Sequence, residues 1–329
     1  MTNHSVDEFG LISRFFGNVG AFDESSFDSP VIPLGIGDDC AILRTPPGHE
    51  ICLSIDTLVS GVHFPESITP YHLGYRCLAV SLSDLAAMGA TPVAFTLALT
   101  LPESDPKWLS DFSQGLSELA NEYQIKLIGG DTTKGPLTIS IQVHGLVPAG
   151  QAIKRSGAQP GDLICVSGSL GDAGAALGFL ELESTPDATT ENSRHFLERY
   201  FRPQPKIALG CFLRGHATAA IDISDGLLAD FSHIAKRSGV GGLLYENNIP
   251  RSVALLSEME GQSLSLALTA GDDYELCFCM PEACYEKLKN EALFDSVSVV
   301  GVVSSECGLK MKYEDGSERV LSPKGYTHF

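Results

Sequence analysis

The order of apolar and polar residues predicts strands and helices that are intermixed along the whole chain. Short apolar runs such as EICLSIDTLV (50–59) and PVAFTLALTL (92–101) are typical of strands, whereas DPKWLSDFSQGLSELANEY (105–123) carries apolar residues at helical spacing. Ser5 and Glu8 have the spacing of a capping box, which predicts a helix near the start of the sequence. Elements intermixed in this way predict an α/β or α+β fold.

The same patterns predict the remaining elements. In the first half, strands are predicted at 36–43, 125–131 and 137–147, and a helix at 70–88. In the second half, strands are predicted at 163–168, 217–223, 274–280 and 297–303, and helices at 172–182, 205–214, 226–239 and 282–290. The Ser-Asp pairs at 83–84 and 224–225 are predicted at helix starts, and the polar segment 183–194 is predicted to be a loop.

A segment rich in glycine and proline, PAGQAIKRSGAQPGD (148–162), predicts a domain junction near the middle of the chain. The 329 residues are enough for two domains, each with its own core. We therefore predict an N-terminal domain over residues 1–148 and a C-terminal domain over residues 149–329, each with a mixed β-sheet flanked by helices.

Charge and cysteine usage narrow the class of protein. The formal net charge of −19 argues against binding to nucleic acid or to anionic membranes, which need a basic surface. The longest apolar stretch, 77–102, contains Asp84 and Pro92, so it predicts a helix, a turn and a strand rather than a membrane span. Nine cysteines without a CxxC pair or a zinc-ligand spacing, and no signal peptide, predict reduced thiols in a cytoplasmic protein.

Acidic residues recur within or directly after apolar runs in six segments. The first, LGIGDDCAIL (34–43), holds the adjacent carboxylates Asp38 and Asp39, which repel each other. The others hold Asp56, Asp84, Asp131, Asp222 with Asp225, and Asp272 with Asp273 and Glu275. Either these acids cap helices and turns, or they converge on divalent cations such as Mg²⁺. The spacing of a dedicated calcium loop is absent, so a cluster built from many elements is the metal-binding alternative.

The usual phosphate-binding motifs are absent from the sequence. It contains neither the P-loop pattern nor the motifs of protein kinases. The glycine-rich segment VSGSLGDAGAAL (166–177) either holds an anion at a helix N-terminus or allows close packing of a helix on a strand. Arg155 is a phosphate ligand or a solvated residue, and His63 is a ligand or a structural residue.

Six segments together resemble the thiamine-monophosphate kinase family. They are GIGDDCAIL, SIDTLVSGVHF, LAVSLSDLAAMGATP, IGGDTTKGP, AIDISDGLLADF and GDDYELCF, and their order matches from residue 34 to the C-terminal KGYTHF. Some of them recur in the wider superfamily that includes aminoimidazole ribonucleotide synthetase. The resemblance implies ATP-dependent phosphorylation of thiamine monophosphate to thiamine diphosphate. It also implies a homodimer formed by the N-terminal sheets, with the C-terminal domain completing the active site.

The resemblance also implies roles for individual residues. Several Mg²⁺ ions are implied at Asp39, Ser54, Ile55 (through its backbone oxygen), Asp56, Asp84, Asp131, Asp222 and Asp225, with Asp38 adjacent. Of these, Asp39, Asp56, Asp84, Asp131 and Asp222 are the implied catalytic carboxylates. ATP is implied at Gly130, Asp131, Arg155 and Ser224, and thiamine phosphate at His63, Asp272 and Tyr326. Ile55 stands where relatives often carry Thr, and Asp272 where they often carry Glu.

The chemistry of this reaction suits a site rich in carboxylates. The acceptor is a phosphate monoester, which is largely a dianion at neutral pH and needs no general base. The site must instead bring two polyanions together in line, which cations held by carboxylates achieve. Two alternatives remain at this stage: another ATP-using enzyme of the same superfamily, such as an aminoimidazole ribonucleotide synthetase, and a non-catalytic protein that binds metal or nucleotide.

Overall fold

Four strands form the sheet of the N-terminal half of the computed structural model, which describes residues 8–181 and 190–322. The strands are β1 (His49–Val59), β2 (Thr91–Leu101), β3 (Lys126–Lys134) and β4 (Thr138–Pro148), in the order β1-β4-β2-β3. β2 pairs in parallel with β3, whereas β4 is antiparallel to both β1 and β2. β1 and β3 are therefore the two edge strands of this sheet.

Three helices accompany these strands. They are α1 (Glu8–Leu11), which continues as a π-helical turn at Ile12–Phe16, α2 (Pro70–Ala87) and α3 (Pro106–Glu122). The carboxylate of Asp105 caps α3 by accepting the N–H of Lys107, and Leu109, Phe112 and Leu116 bury the apolar side of the helix. α2 and α3 approach closely at Gly115, where a Cβ atom would lie 1.9 Å from the carbonyl oxygen of Tyr71.

The C-terminal half forms a second sheet of seven strands. They are β5 (Leu163–Ser167), β6 (Ala219–Asp222), β7 (Gly241–Tyr245), β8 (Leu276–Met280), β9 (Val297–Ser304), β10 (Gly308–Lys312) and β11 (Glu318–Leu321), in the order β11-β10-β7-β9-β5-β8-β6. Among the described strands of this sheet, β7 and β10 pair in parallel and the other neighbours are antiparallel. A core of apolar residues from β5, β6, β8 and α7 (Leu227–Ser238) includes Ile164, Ile221, Phe231 and Cys277.

Further helices lie between these strands. They are α4 (Asp172–Ala176), α5 (Glu191–Phe201), α6 (Ile207–Phe212), α8 (Val253–Glu258), α9 (Ser263–Thr269) and α10 (Glu282–Leu288), with short 3₁₀ turns at Glu246–Asn248 and Ala292–Phe294. None of the helices within the described ranges is long and apolar enough to cross a membrane. By its internal contacts the chain divides into two compact units, residues 1–85 with 91–150, and residues 86–90 with 151–329.

Several expectations from the sequence need correction. Residues 36–43 form no strand, because only isolated bridges such as Leu34 with Ile42 occur there. The pair Ser83–Asp84 lies in the C-terminal part of α2 rather than at a helix start. The predicted loop 183–194 is wrong at its end, since Thr190 caps α5 and the helix begins at Glu191. Ser5 lies outside the described residues, so the predicted capping box is not observed.

Candidate active site

The N-terminal unit brings three of the predicted metal ligands together. Ser54 and Asp56 alternate along β1 and point to the same face of the sheet, and Asp84 lies on α2. The hydroxyl of Ser54 donates a hydrogen bond to Oδ2 of Asp84. Two carboxylates and a hydroxyl, the oxygen ligands that Mg²⁺ prefers, therefore lie beside one another.

The negative charge of Asp56 in this group is not balanced by a positive charge nearby in the described part of the chain. Oδ2 of Asp56 is buried and has no hydrogen-bond partner among the described residues. Burial, together with the negative charge of Asp84, raises the pKa of Asp56 from 3.8 to about 6, against the opposing hydrogen bond of Ser81. Burial and a neighbouring negative charge each disfavour the ionised form of a carboxyl group. A bound cation would remove this repulsion, so the residues present fit a divalent metal ion.

The side chain of Ile55 does not belong to this group, because it lies on the opposite face of β1. Its side chain is 62% exposed, whereas Ser54 and Asp56 on either side are partly buried. Only the backbone oxygen of Ile55 remains as a potential metal ligand, as expected from its apolar side chain.

A second group of predicted residues lines a cavity of about 790 Å³ in the same unit. Asp38 and Asp39 lie on the loop that follows Ile36, and Gly130 and Asp131 lie on β3. The φ angle of Gly130 is 154°, and a Cβ atom there would lie 1.9 Å from the carbonyl oxygen of Leu97. Only glycine fits this position, where the backbone borders the cavity.

The strand order separates these two groups. Asp56 lies on one edge strand and Asp131 on the other, with β4 and β2 between them. At about 4.8 Å per strand, the backbones of these edge strands are roughly 14 Å apart. Across the described ranges, no three His, Cys, Asp or Glu side chains assemble in a geometry that would hold a metal ion.

His63 lies in the turn that follows β1, and the backbone fixes its ring. Nδ1 accepts the N–H of Val59 at 3.0 Å, and the N–H of His63 donates to the carbonyl of Val59 at 3.0 Å. Because Nδ1 is the acceptor, Nε2 carries the proton in the neutral ring. The half-buried His63 therefore presents an N–H donor at Nε2.

The C-terminal unit holds a separate set of predicted residues around the loop from β6 to α7. Asp222 ends β6 and is buried, and Ser224 and Asp225 follow it in the loop. The N–H of Asp272 donates to the carbonyl of Ser224 at 2.8 Å, which joins this loop to the segment before β8. Arg155 is exposed in the segment between β4 and β5. Tyr326 lies outside the described residues.

Asp230 is a buried carboxylate at this loop that the sequence analysis did not single out. Its Oδ2 accepts the backbone N–H groups of Ser224, Asp225 and Gly226 at 3.1, 3.0 and 3.0 Å. Burial raises the pKa of Asp230 to about 7, although these hydrogen bonds oppose the shift. The only signal in the sequence was the position of Asp230 in the first turn of a predicted helix.

The glycine-rich turn after β5 contains carboxylates of the protein itself. The N–H of Gly171 donates to both carboxylate oxygens of Asp273, at 3.0 and 2.9 Å. A Cβ atom at Gly168 would lie 2.3 Å from Oε1 of Glu275. Of the two alternatives left open for this turn, the structure shows close packing, and the N–H of Gly171 already bonds to the carboxyl group of Asp273.

Comparison with known proteins places the chain in a class. The family models described as "AIR synthase related protein, N-terminal domain" and "AIR synthase related protein, C-terminal domain" match residues 37–147 and 159–314. The two sheets and these matches define an AIR synthase related protein with a mixed α/β fold.

Individual relatives are more specific. Thiamine-monophosphate kinase of Salmonella typhimurium is 45% identical over 98% of both chains. The crystal structure of thiamine-monophosphate kinase from Stenotrophomonas maltophilia K279a is 42% identical, with a TM-score of 0.81 over 88% of this chain and 93% of that chain. A structure described as AaThiL complexed with AMPPCP and TMP is 30% identical, with a TM-score of 0.78 over 100% of this chain and 99% of that chain. The chain belongs to the thiamine-monophosphate kinase family.

Proposed function

We propose that this protein transfers a phosphoryl group from ATP to thiamine monophosphate and so forms thiamine diphosphate. The observation that carries the proposal is the 45% identity with a thiamine-monophosphate kinase over 98% of both chains. The relative AaThiL in complex with AMPPCP and TMP, which spans the whole of this chain, supports the same pair of substrates.

The cation site is proposed around the uncompensated carboxylate of Asp56. Asp84 and Ser54 lie beside it, and its buried Oδ2 has no partner among the residues that the structure describes. The full proposed set is Asp39, Ser54, the backbone oxygen of Ile55, Asp56, Asp84, Asp131, Asp222 and Asp225. Several Mg²⁺ ions, when bound, would neutralise the phosphate oxygens during in-line transfer.

The two substrates are assigned to a second set of predicted residues, which shares Asp131 with the cation site. Gly130, Asp131, Arg155 and Ser224 are proposed to hold ATP, and His63, Asp272 and Tyr326 to hold thiamine monophosphate. The position of His63 in the turn after β1 supports its role, because the backbone of Val59 holds its ring in place. No residue is assigned as a general base, since the acceptor phosphate is already a nucleophile.

A homodimer is proposed from the uncovered apolar side of the N-terminal sheet. Ile51, Leu53 and Ile55 form a stripe on the edge strand β1 and are 41%, 56% and 62% exposed. On β2 the same face carries Thr96, Ala98 and Thr100, so the stripe on β1, and not β2, supplies the apolar surface. A second copy of the chain would cover this stripe.

Sedimentation tests the dimer with two matched variants. Leu53→Lys places a charge in the stripe and is expected to give monomers at micromolar concentration. Val320→Lys changes an even more exposed residue, 76% against 56%, on an edge strand of the other sheet and is expected to leave the dimer intact. A wild-type monomer under the same conditions would contradict the proposal.

The division of labour between the domains and the compartment are also proposals. Residues 1–148 are assigned metal and nucleotide binding and dimerisation, and residues 149–329 the completion of the active site. None of the nine cysteines forms a disulfide, as expected in a reducing cytoplasm.

Incubation with Mg-ATP and thiamine monophosphate, followed by analysis of the products, tests the function directly. Thiamine diphosphate and ADP in equal amounts are the expected products. ATP consumption only with another acceptor from a panel would favour a different enzyme of the superfamily. Binding of ATP without any consumption would favour a non-catalytic protein.

A further inference from the structure

Asp230 makes an unusual set of contacts at the loop between β6 and α7. Its side chain lies in the first turn of α7, and the residue is only 2% exposed. A single oxygen, Oδ2, accepts three successive backbone N–H groups from residues 224–226, all at 3.0–3.1 Å. Three N–H groups directed at one carboxylate oxygen hold the three peptide units in a tight turn around it, most strongly when the carboxylate is ionised.

These contacts differ from ordinary capping of a helix. The helix begins at Leu227, and its N-cap residue Gly226 has no side chain that could cap it. A carboxylate of the first turn that only capped the helix would reach back no further than the N–H of the N-cap residue, as in a capping box. Asp230 instead reaches back to Ser224 and Asp225, which precede the helix, so its carboxylate shapes the loop.

The other side of the same loop is bonded to the segment before β8. The carbonyl of Ile223 accepts the N–H of Tyr274, and the carbonyl of Ser224 accepts the N–H of Asp272, both at 2.8 Å. Asp272 and Tyr274 have φ angles of 61° and 50°, a left-handed conformation that non-glycine residues rarely adopt. The loop therefore supports a backbone that would not keep this conformation by itself.

Packing confirms how little freedom the loop has. A Cβ atom at Gly271 would lie 2.4 Å from the carbonyl oxygen of Ser224, and one at Gly226 would lie 2.9 Å from backbone atoms of Thr269. The loop is thus clamped on its N–H side by Asp230 and on its carbonyl side by the segment 271–275.

We propose that Asp230 is a positioning residue, whose carboxylate fixes the loop that carries Asp222, Ser224 and Asp225 and, through the carbonyl of Ser224, also fixes Asp272. This inference rests on the proposed function, in which these residues hold Mg-ATP and thiamine monophosphate. Asp230 itself touches neither substrate in this arrangement.

Two variants of Asp230 and one matched control test the proposal. Asp230→Asn keeps the size of the side chain but removes the charge that strengthens the three bonds. Asp230→Glu keeps the charge but adds a methylene group, which displaces the loop. The control is Asp162→Asn, because Asp162 is also buried in this unit, and its Oδ2 accepts the N–H of Gln159 and the hydroxyl of Thr218.

The measurements are kcat, the KM for each substrate, the equilibrium affinity for a non-hydrolysable ATP analogue with Mg²⁺, and thermal unfolding. We expect both Asp230 variants to lose about tenfold to a hundredfold in kcat/KM and to bind the analogue more weakly. The control should lose stability but keep its kinetic constants within about twofold, because it lies outside the loop.

Each other outcome overturns the proposal. Kinetic constants and analogue affinity close to those of the wild type in both Asp230 variants would show a purely structural residue, as would failure of both variants to fold. Equal kinetic losses in Asp162→Asn would show that any buried acid in this unit has the same effect. Absence of thiamine diphosphate from the wild type would overturn the proposed function, and this inference with it, whereas the outcomes above leave that function intact.

Discussion

Asp56 and Asp84 in the N-terminal unit repel each other and, among the described residues, are met by serine hydroxyls only, whereas the buried Glu275 of the C-terminal unit is surrounded by charged and neutral donors. Glu275 accepts hydrogen bonds from Arg199 at 2.9 Å and from Ser167 at 2.5 Å, and Lys206 lies 3.3 Å away. The pair Asp56 and Asp84 is left with unbalanced negative charge, whereas the charge of Glu275 is balanced by Arg199 and Lys206. Uncompensated acids mark a place for a cation, and compensated acids mark structure or positioning.

The largest effect is expected when Glu275, the acid whose charge is balanced by neighbouring cations, is replaced. Glu275→Gln leaves Arg199 and Lys206 facing a neutral amide, and the free energy of unfolding should fall by about 2–4 kcal/mol. Both cations keep some access to water, so the loss should stay below that of a fully buried pair. Urea unfolding measures the change.

Glu198→Gln is the matched control for that variant. Glu198 pairs with Arg202 at 3.2 Å but its side chain is 64% exposed, so its loss should cost less than about 1 kcal/mol. Equal losses in the two variants would show that burial does not distinguish these ion pairs.

The proposed cation site at Asp56 and Asp84 is tested by Asp56→Asn and Asp84→Asn. Removing a cation ligand should lower turnover by about a hundredfold or more. Stability without Mg²⁺ should hold or rise, because the repulsion between the two carboxylates is relieved. The folded protein loses stability as the pH rises from the unfolded pKa of Asp56, 3.8, to its folded pKa of about 6, so the advantage of Asp56→Asn should be larger at pH 7.5 than at pH 5.

Thermal unfolding with and without Mg-ATP, alongside turnover, distinguishes this from a structural role. Amides cap turns about as well as carboxylates, so residues that only cap would keep both stability and turnover. Turnover near that of the wild type in both variants would contradict the metal site.

The parts of the fold that the sequence predicted well are those with strong local patterns. β2 and α3 follow their apolar periodicity closely, and Asp105 caps α3. The predicted strand at 36–43 is wrong because Gly37, Asp38 and Asp39 interrupt the apolar run and leave only isolated bridges. The helix α5 was missed although Thr190 and Ser193 form a capping box, a weaker signal than one with Glu or Gln at N3.

The site was predictable as a set of residue types but not as an arrangement. The acids on β1 and β3 stood out in the sequence, yet their separation depends on strand order, which local patterns do not encode. Asp230 was missed for another reason, since its partners are backbone N–H groups that no residue type reveals. Long-range pairing and backbone donors are therefore what the structure adds.

A smaller effect is expected at His63, which belongs to neither class of acid. If its Nε2–H contacts the phosphate of thiamine monophosphate, His63→Ala should raise the KM for that substrate by about tenfold. The KM for ATP should change by less than about twofold, because the contact concerns one substrate only. Steady-state kinetics with each substrate varied in turn measures the split, and equal effects on both would return His63 to a structural role.

The smallest effect is expected at His144, a buried base rather than an acid. Both ring nitrogens of His144 on β4 are buried without a hydrogen-bond partner among the described residues, and burial lowers the pKa of the ring. The unfolded chain, with a pKa of about 6.5, therefore takes up a proton before the folded protein does. The stability from this group is complete above about pH 6.5 and is lost as the pH falls towards the lower pKa of the folded state.

His144→Gln should therefore reduce the decline in unfolding free energy between pH 7.5 and pH 5.5. His233→Gln, at an exposed position on α7, should leave that decline unchanged. Urea unfolding at both pH values decides, and the same decline in wild type and His144→Gln would show that this histidine does not control the acid sensitivity of the fold.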